Sequence, residues 1–232
     1  MVCGSYTRYN RAAMSWRFVS CAALFVTCLL TANIIATKLV VVAGVVLPAG
    51  IIIFPMSYIL GDVLTEVWGY AAARRVIWLG FACNVVMVAA IGLAGEMPPA
   101  PFWKGEAAWV EIFGQTPRIL AASFVAYLVG EFANAFVLAK LKIATGGRWL
   151  WTRTIGSTVV GEGLDSLVFV VLAFAGGVPS AALGGIVLAQ WIAKVLYEVV
   201  ATPLTYAAVG WLKSRERVDT FDHDTDFNPI RL

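Results

Sequence analysis

Histidine is almost absent from this chain: its 232 residues hold one, His223, in the polar stretch after the last apolar run. That scarcity excludes a histidine-built intramembrane metal site, a Ser-His-Asp triad and the HExxH zinc motif. Cysteine is sparse too. Cys3, Cys21, Cys28 and Cys83 form no CxxC pair, and three of them lie in or beside apolar runs, where cysteine serves as a small apolar residue. No GxSxG elbow, phosphate-cradling glycine loop or nucleic-acid signature occurs. "DHDTD" at 222–226 opens like a calcium loop but lacks the following Gly and the closing Glu, so it reads as solvated tail. Charge is the most telling shortage. Only 13% of residues are Asp, Glu, Lys or Arg against 60% hydrophobic, whereas a soluble domain carries about a quarter charged. So little polar surface points to an integral membrane protein.

A membrane span needs about 20 mostly apolar residues. Runs of that kind predict helices near 17–37, 48–68, 76–95, 118–139, 155–176 and 184–211. The first run is longer than a signal-peptide core and is closed by no small-residue cleavage site, so it reads as a span. Residues 38–50, "KLVVVAGVVLPAG", are β-branched, glycine-punctuated and stopped by Pro48, which predicts an extended or re-entrant connection. Basic residues then set the sides. Arg8, Arg11 and Arg17 precede the first span, Arg74 and Arg75 follow the second, Lys140, Lys142, Arg148 and Arg153 follow the fourth, and Lys213, Arg215 and Arg217 follow the sixth. Every basic cluster falls on one side if six spans leave both termini in the cytoplasm. The expected architecture is an all-α integral membrane protein. A single six-helix domain would cover 1–212, and a short polar cytoplasmic tail 213–232. The long loop 95–117, with Trp103, Trp109 and Phe113, would lie at the outer interface.

Against this apolar background the polar residues inside the spans stand out, since one charged side chain at a helix centre costs about 2.5–3.5 kcal/mol on insertion scales. Asn33 and Thr37 are four apart, as are Asp62 and Glu66. Glu131 and Asn134 are three apart, as are Glu162 and Asp165, and Gln190, Lys194 and Glu198 recur every fourth residue. These spacings put each set on one helix face. Five polar stripes predict an acidic interior between helices, rather than hydrogen-bonded glue alone. The third span, with only Asn84, is the odd one out. Lys194 is the one cation inside the spans, and Arg74, Arg75 and Arg153 lie at their cytoplasmic ends. Such a cavity suits a cation or a ligand offering adjacent N–H donors. Glycines at 161, 163, 176, 177, 184 and 185 would let helices approach closely and would suit a homodimer.

The stretch 31–81, "TANIIATKLVVVAGVVLPAGIIIFPMSYILGDVLTEVWGYAAARRVIWLGF", resembles the signature of the bacterial queuosine precursor transporters, the VUT family. "YLVGEFANAFVLAKLK" (127–142), "RTIGSTVVGEGLDSLVFV" (153–170) and "QWIAKVLYEVVATPLTY" (190–206) extend the likeness. So does the tail "VDTFDHDTDFNPI", with Ile230 where Phe is more usual. The resemblance implies a multi-pass inner-membrane protein importing the cyano- and aminomethyl-7-deazaguanine precursors of queuosine. The implied fold is similar to the substrate-binding subunits of energy-coupling-factor vitamin transporters, without a dedicated ATPase.

On that footing the acids acquire a chemistry. A deazaguanine shows a ring N–H beside an exocyclic NH₂, and one carboxylate accepts both in a bidentate pair. Asp62, with Glu131 or Asp165, is the expected partner of that edge. Asn33, Asn134, Gln190 and Lys194 are donor candidates for the ligand carbonyl, and Phe54, Tyr58, Phe132 and Tyr197 stacking candidates. Glu66 is expected to pair toward Arg74 or Arg75, with Arg153 and Glu162 completing a gating or ion-pair set. No catalytic residue, cofactor, metal or nucleic-acid partner is expected; the partners are the purine-like substrate and the bilayer. The competing functions are a vitamin-binding subunit that needs an energising partner, and an intramembrane enzyme.

Overall fold

The computed structural model describes residues 15–42, 45–114, 117–176 and 179–231. Cys3, Arg8 and Arg11 lie outside the described residues. The first helix, α1 (Trp16–Ile35), starts where Ser15 accepts the Phe18 N–H at 3.1 Å. It buries Phe18, Cys21, Ala22, Phe25, Leu29 and Ala32, a stripe at helical spacing. The connection expected to be extended is a hairpin: β1 (Leu39–Val42) and β2 (Val45–Pro48) pair antiparallel, with Leu39 opposite Pro48. A 3₁₀ turn, Ala49–Ile52, follows.

Next, α2 (Phe54–Trp68) opens with a proline in its first turn, where the missing N–H costs nothing. It stops at Gly69, whose φ of 84° a side chain would resist, and α3 (Tyr70–Gly95) begins at the next residue. The expected second span is therefore only 15 residues of α-helix, about 22 Å long, and twelve of them are buried. Helices α1, α3, α5, α6 and α7 are the five long and apolar enough to cross a membrane, whereas α2 is enclosed by its neighbours.

A short helix, α4 (Glu106–Phe113), interrupts the long loop, with Trp109 and Phe113 rings 4.7 Å apart. Helices α5 (Pro117–Ala144) and α6 (Leu150–Phe174) form an extensive helix–helix interface. They meet at Gly130 and Gly161. A Cβ on Gly130 would lie 2.6 Å from the Tyr58 hydroxyl and 2.7 Å from Asp165 Cβ, and one on Gly161 2.6 Å from Asn134 Cβ. Helix α7 (Ser180–Glu216), with Pro203 inside it, closes the bundle.

The distribution of side chains is inverted relative to a soluble protein. Leu24, Val86, Val129, Leu172, Leu196 and Val200 face outward, while Asp62, Glu131, Asn134, Arg153, Glu162 and Glu198 are buried. In lipid an outward Leu is at home, and helix packing rests on small residues and on polar contacts.

One expectation fails here. The stretch read as solvated tail is docked against the ends of α2, α3 and α5. Thr220 N–H donates to the Val67 carbonyl at 3.2 Å, and Asp222, only 2% exposed, accepts the Tyr70 N–H with both oxygens at 3.0 and 3.2 Å. Arg74 donates to the carbonyls of Asp226 and Asn228, and Trp78 to that of Pro229. The reason is the abrupt α2–α3 break at Gly69, which exposes uncapped N–H groups that no local side chain reaches.

Candidate functional site

Polar side chains from α1, α3, α6 and α7 converge on a chamber of about 150 Å³. Asn33 from α1 donates to Asn84 from α3 at 3.1 Å. Lys194 from α7 reaches Asp165 Oδ2 at 2.5 Å and Glu162 Oε2 at 2.6 Å, joining two acids that lie one turn apart on α6. Its Nζ also lies 4.7 Å from the centre of the Phe54 ring. Gln190, one turn before Lys194, completes the polar wall, with Tyr127 and Phe169 beside it. Asp165 is the one acidic side chain lining this chamber among the described residues. A wider cavity of about 970 Å³ adjoins it, sharing Asn33, Asn84, Ser123 and Gln190, and reaches Glu96, Trp109 and Phe113 near the α3–α5 connection.

A second polar layer lies beneath the chamber and lines no part of it. Asn134 donates to Asp62 Oδ1 at 2.6 Å, with both residues fully enclosed. Glu131 sits against Gly61, where a Cβ would stand 3.2 Å from its Oε2, so the glycine beside Asp62 makes room for that carboxylate. Tyr58, Glu131, Asp62 and Glu198 each keep a buried oxygen without a hydrogen-bond partner among the described residues.

The third layer is ionic. Arg153 donates to Glu66 Oε2 at 2.7 Å and Oε1 at 2.8 Å, a bidentate pair. Lys213 adds 2.6 Å to Oε1, and Lys142 stands 3.5 Å from it. Lys142 and Lys213 also hold Asp219 of the tail, at 2.6 and 2.9 Å. Burial works to raise the Asp219 pKa, but the hydrogen bonds and charges of the two lysines prevail and hold it below the usual aspartate range. The expected pairing of Glu66 toward Arg74 or Arg75 is thus corrected. Arg74 points to the docked tail, Arg75 is exposed, and the cations that reach Glu66 come from α5, α6 and α7. A side chain on α3 starts beyond the Gly69 bend, which turns it off the face that carries Glu66.

Of the expected site residues, Asn33, Phe54, Asp165, Gln190 and Lys194 line one chamber, while Tyr58, Asp62, Glu131 and Asn134 form the enclosed layer below it. Glu162 joins the chamber through Lys194. Sequence reasoning missed Asn84, Ser123, Tyr127 and Phe169. Asn84 carried a signal, a lone amide in an otherwise apolar span. Lys142 and Lys213 carried none, because they read as ordinary loop-side charges.

The family model described as "Putative vitamin uptake transporter" matches residues 48–208. A protein of Bacillus subtilis (strain 168) named "Probable queuosine precursor transporter" is 28% identical over 187 residues, covering 80% of this chain and 82% of its own length. The "Queuosine precursor transporter" of Escherichia coli (strain K12) is 28% identical over 124 residues, 52% of each chain. No solved structure matches.

Proposed function

The chain belongs to the vitamin uptake transporter family, which makes it a multi-pass transporter of the bacterial inner membrane rather than an enzyme, and we propose that its cargo is a queuosine precursor. The cargo is a 7-deazaguanine bearing a cyano or aminomethyl group, and it binds in the chamber between α1, α3, α6 and α7. The observation that carries this reading is the placement of Asp165, the one acid on the chamber wall among the described residues, in a lining it shares with amides and an aromatic ring. Asp165 accepts the ring N–H and the exocyclic NH₂ of the guanine-like edge, and Lys194, paired with its Oδ2, holds it in place. Gln190, Asn33 and Asn84 serve the ligand carbonyl, and Phe54 stacks on the ring. Asp62, Glu131 and Asn134 act from the enclosed layer, by fixing the floor of the chamber. Adenine offers an acceptor where guanine offers the ring N–H, so the carboxylate would face a lone pair and reject it.

Six crossings, with α2 extended by its 3₁₀ turn as the second and both termini in the cytoplasm, fit the gathering of Arg74, Lys142, Arg153 and Lys213 at one end of the bundle beside the tail. That end is the cytoplasmic gate, closed by the Glu66 network. The test is equilibrium binding of 7-cyano-7-deazaguanine to the purified, detergent-solubilised chain with guanine and adenine as competitors. Saturable binding that adenine fails to displace is expected; displacement by adenine and guanine alike, or no binding, overturns the reading. Uptake by this chain alone in a heterologous cell separates it from a subunit that needs an energising partner.

A further inference from the structure

Besides Glu66 and Asp222, the buried acids among the described residues are Asp62, Glu131, Glu162, Asp165 and Glu198, which share the interior with one cation, Lys194. The remaining buried cations are occupied elsewhere: Arg153 and Lys142 with Glu66 and Asp219, Arg74 with the tail. Lys194 engages Asp165 and Glu162, which leaves Asp62, Glu131 and Glu198 without an ion-pair partner among the described residues. Their surroundings offer little help. Asp62 Oδ2, Glu131 Oε1 and Glu198 Oε1 have no hydrogen-bond donor among the described residues. Asn134 Oδ1, Thr158 Oγ1, Ser166 Oγ and Tyr58 Oη are likewise buried without a partner among the described residues. Asn134 spends its amide N–H on Asp62 Oδ1 and so turns its own carbonyl oxygen, a pure acceptor, into the same layer.

The hydroxyls of Thr158, Ser166 and Tyr58 each carry a proton, but none makes a hydrogen bond to these acids among the described residues, so the three carboxyl oxygens stay without a donor in a dry interior. An ionised carboxylate there would be costly, and it is neutralised by taking up a proton or by a bound cation. No three of the acidic side chains converge as metal ligands do, among the described residues. An occupant that needs one oxygen at a time fits better, and each proton taken up forms one O–H bond that then donates to a neighbouring acceptor.

We propose that Asp62, Glu131 and Glu198 form a proton-binding site beneath the ligand chamber, loaded from chamber water past Asp165 and discharged as the chamber changes sides, so that transport is coupled to proton movement. The groups that face it are Tyr58 and Glu66 from α2 itself, Tyr127 from α5, Glu162 and Asp165 from α6, and Lys194 from α7, with Cys83 of α3 next to Tyr127. Only Lys194 among them brings positive charge close, and it is already shared. The coupling half of this inference rests on the deazaguanine reading; the proton site does not.

Two measurements keep them apart. Infrared spectroscopy of the full chain in lipid nanodiscs at neutral pH should show a carboxylic acid C=O stretch that shifts in D₂O and disappears on alkalinisation. Asp62→Asn, Glu131→Gln and Glu198→Gln should each remove part of it, and Asp224→Asn, at an exposed position, none. Absence of that band in the wild type, which needs no variant to fold, overturns the proton site, and so does its persistence undiminished in all three variants. In proteoliposomes, entry of 7-cyano-7-deazaguanine should acidify the lumen and accelerate when the outside is acid, and Glu131→Gln should lose that response. Uptake indifferent to the gradient overturns the coupling and leaves the cargo standing. No uptake at all, with the infrared band present, overturns the cargo and leaves the proton site standing.

Discussion

Arg153, three residues into α6, closes on Glu66, near the end of α2, with two parallel hydrogen bonds of 2.7 and 2.8 Å, and both side chains are at most 2% exposed. This pair ties the enclosed helix to the α5–α6 unit. Lys213 and Lys142 extend it to α7 and to the tail, so one carboxylate gathers four parts of the chain.

Removing the anion should therefore hurt more than its single charge suggests. Glu66→Gln leaves Arg153 buried without a carboxylate and Lys142 with Asp219 alone, and a loss of about 3–5 kcal/mol is expected, the range for breaking a buried pair from one side. Arg153→Lys should also destabilise, because an ammonium cannot reproduce the fork. Denaturant titration of the detergent-solubilised protein checks both, and a Glu66→Gln variant as stable as the wild type would refute the organising role of this carboxylate.

The chamber makes a sharper demand. Asp165→Asn replaces an acceptor pair by one acceptor and one donor and should weaken precursor binding about ten- to a hundredfold, from hydrogen bonds to a charged group worth about 1.5–3 kcal/mol. Asn84→Ala should weaken it less. Calorimetric titration of the ligand into each variant gives the ranking. An Asp165→Asn variant of wild-type affinity would move the guanine-reading role elsewhere.

At the α5–α6 crossing, Gly130→Ala puts a methyl 2.6 Å from the Tyr58 hydroxyl and 2.7 Å from Asp165 Cβ. Helices forced apart there should lose about 1–3 kcal/mol, the usual cost of overpacking, and should lose ligand affinity as Asp165 moves. Gly210→Ala, which meets open space, is the matched control. Equal thermal stability of the two variants would argue against a tight crossing.

The docked tail rests on Asp222 acting as a cap from outside the helix. Asp222→Ala should cost about 0.5–2 kcal/mol, as N-caps do, and should raise hydrogen exchange across 218–231. Gly69→Ala should have a similar effect, since its φ is 84° and a Cβ would stand 2.7 Å from Thr220 Cγ2. Unchanged exchange in both variants would mean that the tail is held without this contact.

The same tail should respond to acid only late. Asp219 has its pKa lowered in the folded protein, so its contribution is complete above the unfolded value of about 3.9 and is lost as pH falls through the folded one. A fluorophore on a cysteine replacing the exposed Asp224 should report a docked tail through neutral and mildly acid pH, with release below about pH 4. Release centred near neutrality would point to a different titrating group.

Composition and periodicity alone determined that this chain lives in a membrane, that its helices carry polar stripes, and that those stripes are acidic. Each of these is local, written in residues three and four apart. Asn33, Asp165, Gln190 and Lys194 were legible as site candidates for the same reason: polar groups in an apolar run declare themselves. What the stripes touch is not local. Spacing places Asp62 and Asp165 on inward faces alike, but only the packing of α2 inside the bundle buries Asp62 under the chamber and leaves Asp165 on its wall. The partners of Glu66 come from residues 142, 153 and 213, brought to it by three different helices. The tail, polar and written like a solvated end, became part of the structure because a break at Gly69 left backbone donors that only a distant carboxylate could satisfy. Helix faces follow from sequence spacing; which face meets which is decided by close approach, at Gly61, Gly130 and Gly161, once the chain has folded.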